Sequence, residues 1–256
     1  MIVKTDAIVL RSMKYRETSR IVRFYTKEYG KISGIVKGAR SAKNSFGPAL
    51  QPLSVVHLVF YESHGKTLHT VSQCDLLKEF RGLTENLEKM YAGMTMIELV
   101  SNIVPDEEEN KELYDLLLQS LTDVNNASSG YKLFLFRFHV RLAGILGFGP
   151  VFDRCVNCGK SVLETTADVM FEFDRGGPVC SNCATSRGPA TKISAPILRQ
   201  ISALVNSDEI GIEQLLRDDS AGVGFLEELM STFYKRHVGG YRPLGTEKAL
   251  AKILKS

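Results

Sequence analysis

Leu53-Ser-Val-Val-His57-Leu-Val-Phe-Tyr61, then Ser63-His64-Gly65-Lys66, then Thr67 to Cys74: this is the segment on which the fold turns. Its first nine residues are apolar on both parities, as in a strand buried on two sides. Four small or polar residues then reverse the chain, so the two runs read as a hairpin. Toward the N-terminus, Val3 to Leu10 mixes β-branched with alternating polar residues, and Arg20-Ile-Val-Arg23-Phe-Tyr25 repeats that character. Lys31-Ile-Ser-Gly34-Ile-Val-Lys37 follows a Tyr29-Gly30 turn. Five short strands in about 80 residues, with glycines where strands must bend, predict a small closed barrel. An OB-fold fits, and on periodicity alone so does another small barrel.

From Thr84 the period becomes helical. Leu87, Met90, Tyr91, Met94 and Ile97 form one stripe, and Leu113, Leu116, Leu117, Leu121 and Val124 form another. Met90, Met94 and Met96 read as core filling. Tyr131, Phe134, Leu135, Phe138, Leu142, Ile145 and Leu146 predict a helix that starts after a Ser128-Ser129 cap and stops at Gly147-Phe-Gly149-Pro150. Ser194 is expected to cap a helix through Val205, and Leu226, Leu229, Met230, Phe233 and Tyr234 to face inward on the last one. After Pro243 the sequence offers at most a short polar helix, expected to be mobile.

Four cysteines stand in two pairs, Cys155-Val-Asn-Cys158-Gly159 and Cys180-Ser-Asn-Cys183, separated by 21 residues. Two such hooks can present four thiolates tetrahedrally to one structural Zn²⁺. They bracket an expected hairpin holding Phe171-Glu-Phe173 and the turn Asp174-Arg-Gly-Gly177. The alternative of two disulfides in a secreted chain fits poorly. The N-terminus reads directly as a strand with no signal h-region, and Cys74, expected to be a small buried residue, is left unpaired. The expected fold class is therefore α+β: a five-stranded OB-fold barrel over residues 1–80, then an α-helical domain over 81–256 with a four-cysteine zinc-ribbon insert at 153–186.

Catalysis finds no support. Four thiolates leave a zinc no open position. Pro178-Val-Cys180-Ser-Asn-Cys183 resembles half of the zinc deaminase pattern, but a residue intervenes after the proline and no H-x-E occurs, since His139 is followed by Val140 and Arg141. HExxH, P-loop and nucleophile-elbow motifs are absent, and Asp106-Glu-Glu-Glu109 reads as a solvated helix start. His57, His64 and His69 lie on or near barrel strands without partners that argue for a metal. No apolar run approaches the roughly 20 residues of a membrane span, so a cytoplasmic protein is expected.

Net charge is +3, unevenly placed: residues 1–47 carry eleven Lys or Arg against three Asp or Glu. A basic head on a mildly acidic body points to a polyanion. The candidates for holding it are Lys14, Arg16, Arg20, Arg23, Lys31, Lys37, Arg40 and Lys43, the last two in the small polar loop Gly38-Ala-Arg40-Ser-Ala-Lys43-Asn-Ser45. Tyr15, Phe24, Tyr25 and Tyr29 interleave with these charges as possible stacking faces. Nothing in the set points to base-edge readout.

Lys14-Tyr15-Arg16-Glu17-Thr18-Ser19-Arg20-Ile21-Val22, Tyr29-Gly30-Lys31 and Val36-Lys37-Gly38-Ala39-Arg40 together resemble the N-terminal barrel of the bacterial recombination mediator family RecO. The Gly144-x-x-Gly147-x-x-Pro150 approach and the cysteine quartet are similar to that family as well. The resemblance implies a DNA-repair protein, not an enzyme, that binds single- and double-stranded DNA and anneals complementary strands. It further implies action with RecR to load RecA onto DNA coated by single-strand-binding protein, and a nucleoid-associated location. It also implies docking of that protein's acidic tail on the helical domain, for which Arg137 and Arg141, one helical turn apart, are the candidate rim. An RNA-binding or transcription-associated barrel with a zinc ribbon is the alternative.

Overall fold

The computed structural model describes residues 1–41, 46–62, 68–184, 188–206 and 221–246. The chain forms two compact units, Met1–Asn126 together with the stretch from Leu244 onward, and Ala127–Pro243.

In the first unit, β1 (Ile2–Tyr15), β2 (Ser19–Thr26), β3 (Gly30–Val36), β4 (Val55–Tyr61) and β5 (His69–Lys78) close into a barrel in the order β1-β2-β3-β5-β4. Every pairing is antiparallel except β3 with β5, which run parallel over Gly34–Val36 and His69–Val71. This is the order of the OB-fold, so strand pairing decides what periodicity leaves open. Val3, Ala7, Val9, Val22, Phe24, Val56, Leu58 and Phe60 fill the interior with Cys74, whose thiol burial pushes up to about 12, the Asp75 carboxylate adding to the effect. β1 runs five residues beyond the predicted Leu10. A bulge between Val9 and Arg11 re-aims the strand, and Arg11 to Tyr15 then pair with Ser19 to Arg23.

Helices α1 (Arg81–Glu85), α2 (Leu87–Ile103) and α3 (Lys111–Asn126) follow in this unit. Asn86 caps α2 by accepting from the Lys89 amide at 3.0 Å, and Asn110 caps α3 by accepting from the Leu113 amide at 2.9 Å. The acidic run Asp106 to Glu109 is exposed just before α3, as expected, but its backbone also docks on β3. Asp106 bridges to Lys31, the Glu107 amide donates to the Lys31 carbonyl at 2.9 Å, and the Glu108 backbone lies over Gly30. Gly30 has φ +63°, and a Cβ there would stand 2.1 Å from the Glu108 carbonyl oxygen, so only glycine allows this approach.

The chain after Pro243 departs from expectation too. Leu244 is fully buried, and the Glu98 carboxylate accepts the amides of Gly245 at 2.7 Å and Thr246 at 3.0 Å. The segment is held as far as Thr246, and residues 247–256 lie outside those described.

The second unit contains α4 (Tyr131–Ile145), α5 (Ala195–Asn206), α6 (Ala221–His237) and a sheet of β6 (Val169–Glu172), β7 (Gly177–Val179) and β8 (Ala190–Ile193) in the order β7-β6-β8. α4 begins at Gly130 in a left-handed conformation with no side-chain cap, so the expected Ser128-Ser129 cap is absent; the Ser128 carbonyl accepts from the Tyr131 hydroxyl instead. At the centre of α4 the His139 carbonyl accepts from the buried Tyr234 hydroxyl at 2.8 Å. Neither ring nitrogen of His139 has a partner among the described residues, and burial pushes its pKa down to about 4. Among the described residues no helix is long and apolar enough to cross a membrane.

Candidate nucleic-acid interface and metal centre

The two Cys-x-x-Cys hooks are brought together in the second unit. Cys155, Cys158, Cys180 and Cys183 place their sulfurs within 4.8 Å of one another. Zn–S bonds of about 2.3 Å imply tetrahedron edges of about 3.8 Å. Cys158 Sγ and Cys180 Sγ are 3.8 Å apart, and all four thiols are free. The local backbone follows from the sequence. Gly159, at φ +73°, closes the first knuckle as its amide donates to the Cys155 carbonyl at 2.9 Å. The Cys183 amide donates to the Cys180 carbonyl at the same distance in the second. A Val156 to Pro178 backbone bond lays the first knuckle on β7.

The electrostatics favour thiolate at one corner. Burial works against ionisation of Cys155, yet donors from the backbone of Cys180, Cys158 and Asn157 and from the Cys158 thiol hold its pKa down to about 6. Cys180 is pushed up to about 11 by burial and by hydrogen bonds with Cys183, Cys155 and Cys158. A donor set of four closely spaced thiols, one of them stabilised as thiolate, fits a four-coordinate metal of the zinc kind.

On the barrel, register sorts the basic residues. Arg11 stands directly opposite Arg23, and Lys14 directly opposite Arg20. Side chains alternate along a strand, so Arg11, Met13 and Tyr15 share one face with Arg23 and Ile21, while Ser12, Lys14 and Arg20 share the other. Arg20 donates to Ser12 Oγ at 2.9 Å. Across three strands Met13, Ile21 and Ile35 form a row of paired neighbours, beside the row Arg11, Arg23 and Ser33. Met13 is 42% exposed. Like charges directly opposite one another destabilise a ladder, and neither Arg11 nor Arg23 has a carboxylate partner among the described residues. Such a row suits a polyanion that supplies the missing charge. Arg11 escapes a sequence reading that ends β1 at Leu10; pairing it with Arg23 through the Tyr15–Ser19 turn is the signal that finds it.

Lys37 and Arg40 are exposed beyond β3, and Arg16 is exposed in the β1–β2 turn with its guanidinium 5.2 Å over the Tyr15 ring. Lys31 has to be withdrawn from the set. It is 5% exposed, and its ammonium donates to the carbonyls of Ser101, at 2.8 Å, and Val104, and pairs with Asp106 at 3.2 Å. Burial lowers its pKa, and Asp106 opposes that shift. Lys43 lies outside the described residues, as does His64. Of the four aromatics, Phe24 and Tyr25 are fully buried, while Tyr15, beneath the Arg16 guanidinium, and Tyr29, packed on the core, are half-buried. His57 pairs with Asp6 at 2.9 Å and His69 with Glu107 at 3.4 Å, neither in a metal cluster. In the second unit Arg137 is buried at 7% exposure and cannot form a rim for a docking peptide; Arg141 is half-buried.

An OB barrel with a cationic outer row, carried in one chain with a helical unit that holds a four-thiol centre, defines the class of protein. Comparison with known proteins narrows it. Residues 1–80 match the family model "Recombination protein O N terminal" and residues 84–245 match "Recombination protein O C terminal". The DNA repair protein RecO of Rhodopirellula baltica is 32% identical over 204 residues, covering 80% of this chain and 75% of that protein. That of Rubrobacter xylanophilus is 31% identical over 250 residues, covering 94% and 92%. The RecO of Caldanaerobacter subterraneus is 30% identical over 213 residues, covering 83% and 84%. The chain belongs to the RecO family.

Proposed function

We propose that the protein is a recombination mediator in DNA repair that binds single- and double-stranded DNA and anneals complementary strands. The observation that carries this reading is the row of unneutralised cations on the barrel, Arg11 opposite Arg23, with Lys14 and Arg20 on the other face of the same ladder and Arg16, Lys37 and Arg40 in the adjoining turn and loop. Opposed DNA strands repel, and a surface that holds both and displaces their counterions lowers that repulsion while the bases search for register. The apolar row Met13, Ile21 and Ile35 lies where unpaired bases can rest beside phosphates held by Arg11 and Arg23. Cations that meet phosphate carry no sequence information, so binding is expected to be sequence-tolerant. The role is one of binding, not catalysis.

In this reading residues 1–80 are the nucleic-acid-binding domain and 81–256 the helical domain that meets protein partners. Those partners are RecR, the acidic C-terminal tail of single-strand-binding protein and, through them, RecA, in the cytoplasm at the nucleoid. With Arg137 internal, Arg141 alone is left of the proposed rim. Cys155, Cys158, Cys180 and Cys183 would hold one Zn²⁺, whose bonds would cross-link the two knuckles beside the buried Val162, Val169, Phe171, Phe173 and Val179. The test is binding to DNA and to RNA of equal length over a salt series. Steep weakening with salt and a preference for DNA support the reading; a salt slope near zero removes it, and a preference for RNA favours an RNA-binding barrel.

A further inference from the structure

The β1–β2 turn has three residues, Arg16-Glu-Thr18, between the paired Tyr15 and Ser19. Arg16 has φ +52°, in the left-handed region that a long side chain adopts at a cost. Three successive carbonyls of this turn are satisfied by a single residue from beyond β3. Arg40 Nη1 donates to the Glu17 carbonyl at 3.0 Å and to the Arg16 carbonyl at 3.4 Å, while the Arg40 amide donates to the Thr18 carbonyl at 2.9 Å. The brace fixes the turn that carries Arg16, with its guanidinium over Tyr15 and Lys14 next in the strand.

We infer that Arg40 is a positioning residue of the nucleic-acid surface and not one of its phosphate contacts, an inference that rests on the DNA-binding role proposed above. Its Nη1 is directed at protein carbonyls. Both side-chain bonds leave this one nitrogen, which stands one bond farther from the backbone than a lysine ammonium, so a lysine carries the charge but falls short of the two carbonyls. The residue that meets phosphate is Arg16, and Arg40 holds it in place.

The test compares wild type, Arg40→Ala, Arg40→Lys and Arg16→Ala in binding of a labelled single-stranded DNA over a salt series. Hydrogen exchange of the amides from Arg16 to Arg20 is followed in the free proteins. Arg40→Ala is expected to bind several-fold more weakly at every salt concentration, with a log–log slope parallel to wild type. Arg40→Lys should fail to restore binding, and the turn amides should exchange faster in both. Arg16→Ala should flatten the slope by about 0.7, the value for one phosphate on a single strand. Should Arg40→Ala lose its folding transition, Arg40→Gln, which keeps an amide donor, takes its place. A slope flattened by Arg40→Ala and restored by Arg40→Lys, with turn exchange unchanged, overturns the inference and leaves the DNA-binding role standing. A wild-type protein without salt-dependent binding overturns both.

Discussion

Lys31 shows how one residue changes meaning when its surroundings fold. In sequence it belongs to a run of cations; in the molecule its ammonium sits at the C-terminal end of α2, donating to Ser101 and Val104, whose carbonyls have no further turn to bond. A cation there also meets the negative end of the helix dipole. Asp106 is 63% exposed, so the ion pair itself adds little. Lys31→Met is expected to lower unfolding free energy by about 2 kcal/mol, since two carbonyls lose their donor. Urea denaturation checks this, and a change within error would mean that water replaces the ammonium at no cost. Lys37→Ala, by contrast, should leave stability unchanged and weaken DNA binding.

His139 gives a pH signature at the same scale. Its folded pKa near 4 lies below the unfolded value of about 6.5. Between these values the unfolded chain binds a proton that the folded chain refuses, so stability is complete above pH ~6.5 and falls as pH drops, by about 3 kcal/mol in total. His139→Leu should remove that component. The difference between the two stability–pH curves isolates it from the carboxylates; a flat difference across the window would contradict the assignment. The lysine and the histidine alike are illegible in sequence, because burial is a property of the packed neighbours and not of the run in which a residue stands.

At the scale of elements, the contact of β3 with residues 106–108 depends on Gly30. Gly30→Ala is expected to cost more than about 3 kcal/mol, from a left-handed φ and a Cβ driven into the Glu108 backbone, and a thermal melt reads it. The metal knuckles make a second prediction. One zinc per chain should be released by a strong chelator or by Cys155→Ser, with loss of protease resistance confined to residues around 153–186. Metal analysis that finds no zinc in protein purified without chelator would contradict it. The knuckles are legible because ligand spacing is local. The barrel strands are legible too, from alternation and glycine placement. Their register is not: it depends on the Val9–Arg11 bulge and on which strand meets which, and with it go Arg11 and the row Met13, Ile21 and Ile35. The segment beyond Pro243 misleads for a related reason, since Glu98, its partner, lies far away in sequence.

Over the whole molecule, charge is sorted within the first unit. Residues 1–47 carry net +8, whereas residues 75–126 hold twelve Asp or Glu against four Lys or Arg. A polyanion is drawn to the barrel surface and repelled from the acidic stretch, which restricts where a strand can lie. Arg11→Glu combined with Arg23→Glu should therefore abolish DNA binding while leaving the thermal transition in place, because it exchanges one like-charge pair in the ladder for another. Retained affinity in a gel-shift assay would move the binding surface elsewhere. The role proposed for this surface is to bring complementary strands together. It is tested most directly by an annealing time course on complementary DNA, bare and pre-coated with a cognate single-strand-binding protein, with and without this protein. Annealing of both should be faster with the protein present, fading as salt rises; no acceleration of either would contradict that role.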